Sequence, residues 1–442
     1  MSIIKDICEY AYNTPFDSIP NEVRYMSKML IADQIGCMVA GSFEQTSSAI
    51  HKYLEHKKHI DSEDMAFCYG YFSHALDFDS ASNLIGHHAS VVASALLACC
   101  NEKDVSGKEF LRAFCISTQV SFKIAEVLAP ALNYRGFHIT PVYGVIGATV
   151  AVGLILGLSE DEMVRALSLC VSHCSGLMGQ FGTLAKFYHC GMAASSAIMA
   201  CERAKAGFCG SMDIFERKNG FFFAYAGVEN IDFIDFSSSW AIKSHNFLIK
   251  LYPCCSAAHS ALNALEWLMK SENFKHSDVL KITTQVPEYT LHNLIYKEPK
   301  NAEEARFSMN FSLACLLVNE SLTLQSYTMQ NLQNPHILEL QKKIEMCADD
   351  QFENFLDAEP SLVIVELKDG RKLTHCKPFA KGRTLDSPCD CEEFFEKFNS
   401  CVGSYVEDSE ALFEILMQLE LRGMRELELQ DKINFLRSST AL

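Results

Sequence analysis

From the N-terminus to about residue 230, apolar residues recur every three or four positions, and the stretch reads as helix after helix. Asn21 stands where a cap is needed for a helix running to Gly41. Val23, Met26 and Leu30 form one stripe on it and Ile31, Ile35 and Met38 a second, so its buried face is wide. Ser106 and Glu109 have the spacing of a capping box ahead of a helix through Phe114 and Val120, and Ser159 and Glu162 repeat that spacing. The Ala- and Ser-rich run from Gly182 to Ala206 predicts a further helix that stops near Gly207. Pro141 to Leu158 is apolar apart from a Tyr and a Thr, and is close to the lower length limit for a membrane span. Four glycines in it (144, 147, 153 and 157) permit close helix approach, so the expectation is a buried central helix and no membrane.

The texture changes after about residue 245. Val279 to Val286 is β-branched and partly alternating, and Pro287 closes it, which predicts a strand. The runs LVIVELK and RKLTHCK, between Ser361 and Lys377, flank Asp369-Gly370, a pair suited to the positive φ angles of a tight hairpin. Glu304 to Val318 and Pro335 to Cys347 read as helices between these strands, and Cys391 to Arg437 as a return to amphipathic helix. The pattern predicts a mostly α fold. Residues 1–245 and 386–442 form an all-helical domain, into which an α+β domain at 246–385 is inserted.

Composition narrows the function classes. With 55 acidic and 38 basic residues in 442, the net charge is −17, which disfavours a general nucleic-acid or anionic-membrane binder. The 19 cysteines lie among small apolar residues, and none are spaced Cys-x-x-Cys, so core packing in a reducing compartment is expected. The N-terminus runs directly into polar residues without a secretory-type apolar stretch, and a cytoplasmic location is the expectation.

Five polar clusters stand in apolar surroundings. The first is His74-Ala75-Leu76-Asp77-Phe78-Asp79 with Gly86-His87-His88-Ala89-Ser90. Its carboxylates and imidazoles suit a divalent metal, a carboxylate–histidine pair tuning a proton donor, or a solvated helix end. The others are Arg135 to Thr140, Gly182 to Gly191 with Lys186 and His189 on one helix face, Phe247 to Cys255 with Lys250, and Glu303 to Phe311. Glycines 176, 179 and 182 follow no strand, so they form no dinucleotide fingerprint. Two lysines and several histidines facing one pocket would bind a multiply charged carboxylate, and an Asp-supported histidine could move a proton.

These clusters, in this order, resemble the MmgE/PrpD family, which includes 2-methylcitrate dehydratases, cis-aconitate decarboxylases and an iminodisuccinate epimerase. The likeness runs from Ala32-Asp33-Gln34-Ile35-Gly36 through the His-Ala-Leu-Asp-Phe-Asp run and His88-Ala89-Ser90. It continues through Arg135-Gly136-Phe137-His138, the Lys186 helix, Ile249-Lys250-Leu251-Tyr252-Pro253-Cys254-Cys255 and Glu304-Ala305-Arg306-Phe307-Ser308. The resemblance implies a homodimer, with the α+β domain acting as a lid over an active site between the domains. It also implies a polycarboxylate substrate and no metal or organic cofactor. Carried over by position, Asp77, His88, His138, Lys186 and Lys250 are the catalytic set, with His87 a competing choice for His88. Lys186, Lys250, His138, His87 and Thr140 are the substrate-binding set.

Four positions depart from the family pattern. Ser80 replaces the second Asp of an Asp-Asp pair and Ala81 the Thr after it, Ala89 replaces a proline, and Phe311 stands where decarboxylases carry a tyrosine. The resemblance favours a lyase of the cis-aconitate decarboxylase type. A 2-methylcitrate dehydratase, an epimerase of a substituted succinate and a non-catalytic polycarboxylate binder are the alternatives.

Overall fold

A computed structural model describes residues 2–424 except 101, 102, 130, 230, 232 and 353–358. The long helices of the first unit are α1 (Asn21–Ser42), α2 (Ser62–His74), α3 (His88–Cys100), α4 (Gly107–Leu128), α5 (Ile139–Leu156) and α6 (Leu184–Lys205). Both capping boxes form: the Ser106 and Ser159 side chains accept from the backbone N–H groups of Glu109 and Glu162. Asn21 does not cap α1 but lies inside it, after Pro20, whose fixed φ starts the helix. Helix α5, the apolar run, is the centre of the bundle and packs on α3, α4 and α6. Among the described residues it is the one helix long and apolar enough to cross a membrane, and it is mostly buried within the protein. Its glycines serve contact, since a Cβ at Gly144 would meet the Val91 side chain at 2.9 Å.

The second unit holds a four-stranded sheet in the order β2-β1-β3-β4, from β1 (Val279–Val286), β2 (Ile344–Ala348), β3 (Ser361–Leu367) and β4 (Lys372–Lys377). Strand β1 runs parallel to β2 and antiparallel to β3. Helices α7 (His259–Glu272) and α8 (Met309–Asn319) pack with it.

Three expectations change here. The β3–β4 turn is a three-residue loop in which only Gly370 has positive φ, with Leu367 O accepting from Gly370 N and Leu367 N donating to Arg371 O. The helix expected over 335–347 stops at Gln341, and Ile344–Ala348 becomes β2, paired along β1. The helix expected from Glu304 is interrupted, because the Ser308 hydroxyl caps a new helix at Met309.

Two hydrophobic cores follow these units. One spans Ile3 to Ile249 and takes in Phe394 to Met424, and the other spans Tyr252 to Leu367. Helix α9 (Cys391–Val402) therefore packs back on α1. The part of the expected tail helix beyond residue 424 lies outside the described residues. The chain crosses between the cores twice, and the crossings are paired: Ile249 N donates to Gly382 O, and Thr384 N to Phe247 O.

Candidate active site

A cavity of about 450 Å³ opens where the two units meet. Its floor is the loop after α2. That loop is held from behind by Asp33 on α1, whose carboxylate accepts from Ser80 N at 2.7 Å, and by Lys397 on α9, which donates to Phe78 O at 2.9 Å. Asp33 and Lys397 also pair with each other, and both are buried. So the Ala-Asp-Gln-Ile-Gly stretch acts as a brace for the loop. Held in this way, Asp77 adopts a left-handed backbone (φ +48°) and faces the cavity.

Two ammonium groups converge on Asp77. Lys186, in the first turn of α6, reaches Asp77 Oδ1 at 2.5 Å, and Lys250, on the first crossing segment, lies 3.3 Å from the same oxygen and donates to Asp77 O at 2.8 Å. All three side chains are at most 3% exposed. Burial works against the Asp77 charge, but Lys186 first and Lys250 next hold its carboxyl well below the usual range. Lys250 is raised in turn: burial opposes its charge, and Asp77 and Asp79 outweigh it. Lys186 also lies over the rings of Phe181 and Phe307, the latter from the second unit.

The imidazoles form a layer beside this lattice. His87 lines the cavity, with Nε2 3.7 Å from Asp77 Oδ1 and Nδ1 3.0 Å from Asp79 Oδ2, the latter at a poor hydrogen-bond angle. Behind it, His74 Nδ1 hydrogen-bonds to Asp79 at 2.9 Å, and Ser90 donates to the same carboxylate. Burial pushes the His74 imidazole down to about 3 despite Asp79, and lowers His87 against the same partner. His138 lines the cavity too, with Nδ1 3.1 Å from Nδ1 of His189. Burial, then Lys186, holds His138 well below its ordinary value. Thr140 lies at the cavity edge, and its hydroxyl accepts from His87 N at 3.0 Å. It sits so close to Gly86 (φ +63°) that a Cβ there would meet Thr140 Oγ1 at 2.3 Å.

His88 is the exception among the expected residues. Its ring lies in the core against Phe114, in space that Gly147 leaves open, and is not in the cavity wall. Neither ring nitrogen has a partner, and burial pushes the group down to about 3. The one-residue choice between the two histidines therefore falls geometrically on His87. Phe311 is also outside the cavity wall. It is fully buried in the second core against Tyr327, so its missing hydroxyl leaves the wall unchanged. Ala81 does line the cavity, and Ser80 is buried beneath it.

The opposite wall carries groups the sequence did not flag. Glu359 lines the cavity, takes a 2.8 Å bond from the buried Arg383 and accepts from Ser256 Oγ at 3.2 Å. Burial raises its carboxyl against the pull of Arg383. Neither residue sits in a recognisable motif, and only the second crossing brings them together.

His74, Asp77, Asp79 and His87 bring ligand atoms within 4.8 Å of one another, a spacing a divalent cation can use. The donor set fits poorly, because Asp77 already neutralises two ammonium groups and Asp79 is already engaged by His74 and Ser90. A dication here would face Lys186 and Lys250 at close range. What the arrangement offers instead is fixed cations and neutral imidazoles around a small cavity, a setting for anion binding and proton transfer.

Comparison with known proteins agrees with this geometry. The MmgE/PrpD N-terminal domain model matches residues 5–234, and the C-terminal domain model matches residues 252–422. A cis-aconitate decarboxylase of Aspergillus terreus is 25% identical, with 92% of this chain and 90% of that protein aligned. The cis-aconitate decarboxylase of Mus musculus is 25% identical over 89% of this chain and 86% of its own length. That of Homo sapiens is 25% identical over 95% and 92%.

Proposed function

The chain belongs to the MmgE/PrpD family, and from that premise we propose that it is a lyase of the cis-aconitate decarboxylase type, releasing carbon dioxide and leaving itaconate. The observation that carries the reading is the pair of buried ammonium groups converging on Asp77 at the base of the cavity between the two units. Each ammonium has three donors. Asp77 occupies only part of that capacity, so donors remain for substrate carboxylates.

The chemistry follows from charge. The C–C bond to the departing carboxylate breaks, and its electron pair forms the terminal methylene double bond. The existing double bond shifts its pair to the far carbon, beside a second carboxylate. Lys186 and Lys250 meet the charge that develops there, which lowers the barrier because they are already oriented and desolvated. One proton must then reach that carbon. His87 and His138 face the cavity and supply it. Burial holds both imidazoles below their ordinary value, so each meets the substrate as a neutral N–H donor.

Purified protein incubated with cis-aconitate tests the reading, with 2-methylcitrate as the control. Itaconate from the first substrate alone supports it. Conversion of 2-methylcitrate alone replaces it with a dehydratase, and stabilisation by citrate without turnover of either replaces it with a binding protein. The same reading includes a homodimer, which sedimentation at micromolar concentration checks.

A further inference from the structure

His189 has no place in the catalytic set, yet its ring makes a side-chain hydrogen bond to a residue that has one. It lies one turn after Lys186 on α6, half-buried, with Nδ1 3.1 Å from Nδ1 of His138. The contact is held from both sides. His138 N donates to Gly176 O at 3.0 Å, and Gly176 packs so closely that a Cβ on it would stand 3.3 Å from His189 Nδ1. Phe181 meets the His138 ring edge-on at 5.0 Å.

Two Nδ1 atoms at this distance can share one proton. With none the lone pairs face each other, and with two the N–H groups collide. One ring therefore donates and the other accepts, and the choice fixes the free nitrogen of His138. If His138 accepts at Nδ1, its own proton sits on Nε2, the nitrogen left for the cavity. If it donates, Nε2 is bare.

We propose that His189 is a positioning residue that donates from Nδ1 to His138, holding His138 as an Nε2–H acid toward the cavity and linking it to solvent. This rests on the decarboxylase reading, which requires an acid for the carbanion-like carbon. As Nε2–H of His138 passes to that carbon, the shared proton moves from His189 Nδ1 to His138 Nδ1, and His189 takes a proton at Nε2 from water. Each ring loses one proton and gains one, so neither becomes an imidazolate. When product leaves, cavity water returns a proton to His138 Nε2 and the shifts reverse. The surroundings suit neutral rings: burial and Lys186 push His189 down to about 4, and Lys186, His74 and His87 face His138 with the same effect.

Two measurements test this. In substrate-free wild-type protein labelled with 15N-histidine, NMR should show His189 protonated at Nδ1 and His138 at Nε2. Two rings both bare at Nδ1, or His138 as the Nδ1–H ring, would overturn the proposal. In turnover of cis-aconitate, His189→Ala should lower kcat by about tenfold or more, with KM within about twofold, and added imidazole should restore it. An unchanged kcat, or a loss that imidazole does not restore, would also overturn it. If the wild type leaves cis-aconitate unchanged, the decarboxylase reading fails, and the tautomer measurement alone decides the histidine pair.

Discussion

At Asp77 three charges share one oxygen environment, and their balance sets what each residue does. Removing Lys186 leaves Lys250 on the carboxylate, and the reverse holds, so the fold keeps a counter-ion in either case. Lys186→Ala and Lys250→Ala should therefore each cut kcat/KM by on the order of 10³-fold, while costing about 1–3 kcal/mol of stability. Steady-state kinetics beside thermal unfolding checks both numbers, and wild-type rates in either variant would contradict the site. The two adjacent histidines separate in the same assay. His87→Ala should lose about 100-fold in kcat. His88→Leu should keep turnover within about twofold and hold or raise Tm, because it removes a buried imidazole with no partner. Much of this residue set was legible, since Asp77, His138, Lys186 and Lys250 sit in motifs. The His87/His88 choice was not, because it depends on a turn, closed by paired bonds between Ser82 and Gly86, that aims one ring inward and the next into the core. Glu359 and Arg383 were silent for another reason: they are 24 residues apart and meet only in space.

Among the elements, the brace behind the catalytic loop matters most. Lys397 reaches from α9 to Phe78 O and pairs with Asp33, which in turn holds Ser80 N. Lys397→Met leaves Asp33 buried without its cation and should cost about 3–5 kcal/mol. It should also lower kcat by about tenfold through a displaced Asp77, with Tm and kcat falling together. Full activity in a folded Lys397→Met protein would show that the loop holds itself. Long helices were the easiest elements to read, because caps and periodicity agree over many residues, as at Ser106 and Ser159. The short elements misled. Pro335–Cys347 carries apolar residues at helical spacing, but strand β1 offers an open edge, and Ile344–Ala348 pairs with it. At Ser308 a hydroxyl that reads as an ordinary helix residue acts as a cap.

For the whole molecule, the cavity is a seam between two cores, and the price of building it is a set of buried imidazoles. Burial pushes His74, His88 and His259 down to about 3, and His189 to about 4. Each has a folded value below the unfolded value of about 6.5, so the unfolded chain binds more protons in between. The stability they permit is fully present above about pH 6.5 and is lost as pH falls toward about 4 for His189 and about 3 for the other three, at about 1.4 kcal/mol per pH unit for each proton taken up. Asp77 and Asp79, held low, add acid sensitivity only below about pH 4. Tm should thus fall by at least about 5 °C between pH 7.5 and pH 5, and a flat profile across that window would mean that these rings are solvated. The change of texture near residue 245 was visible in the sequence. The closeness of the crossings was not, since the Ile249–Gly382 and Phe247–Thr384 bonds join segments more than 130 residues apart.

The most direct test of the central claim is proton NMR of the protein with cis-aconitate in deuterated buffer. The account predicts itaconate carrying one deuterium on the methylene beside a carboxylate and none on the terminal methylene carbon, formed on the order of 10³-fold more slowly by Lys186→Ala. Unchanged cis-aconitate, or deuterium exchange without loss of carbon dioxide, would contradict it.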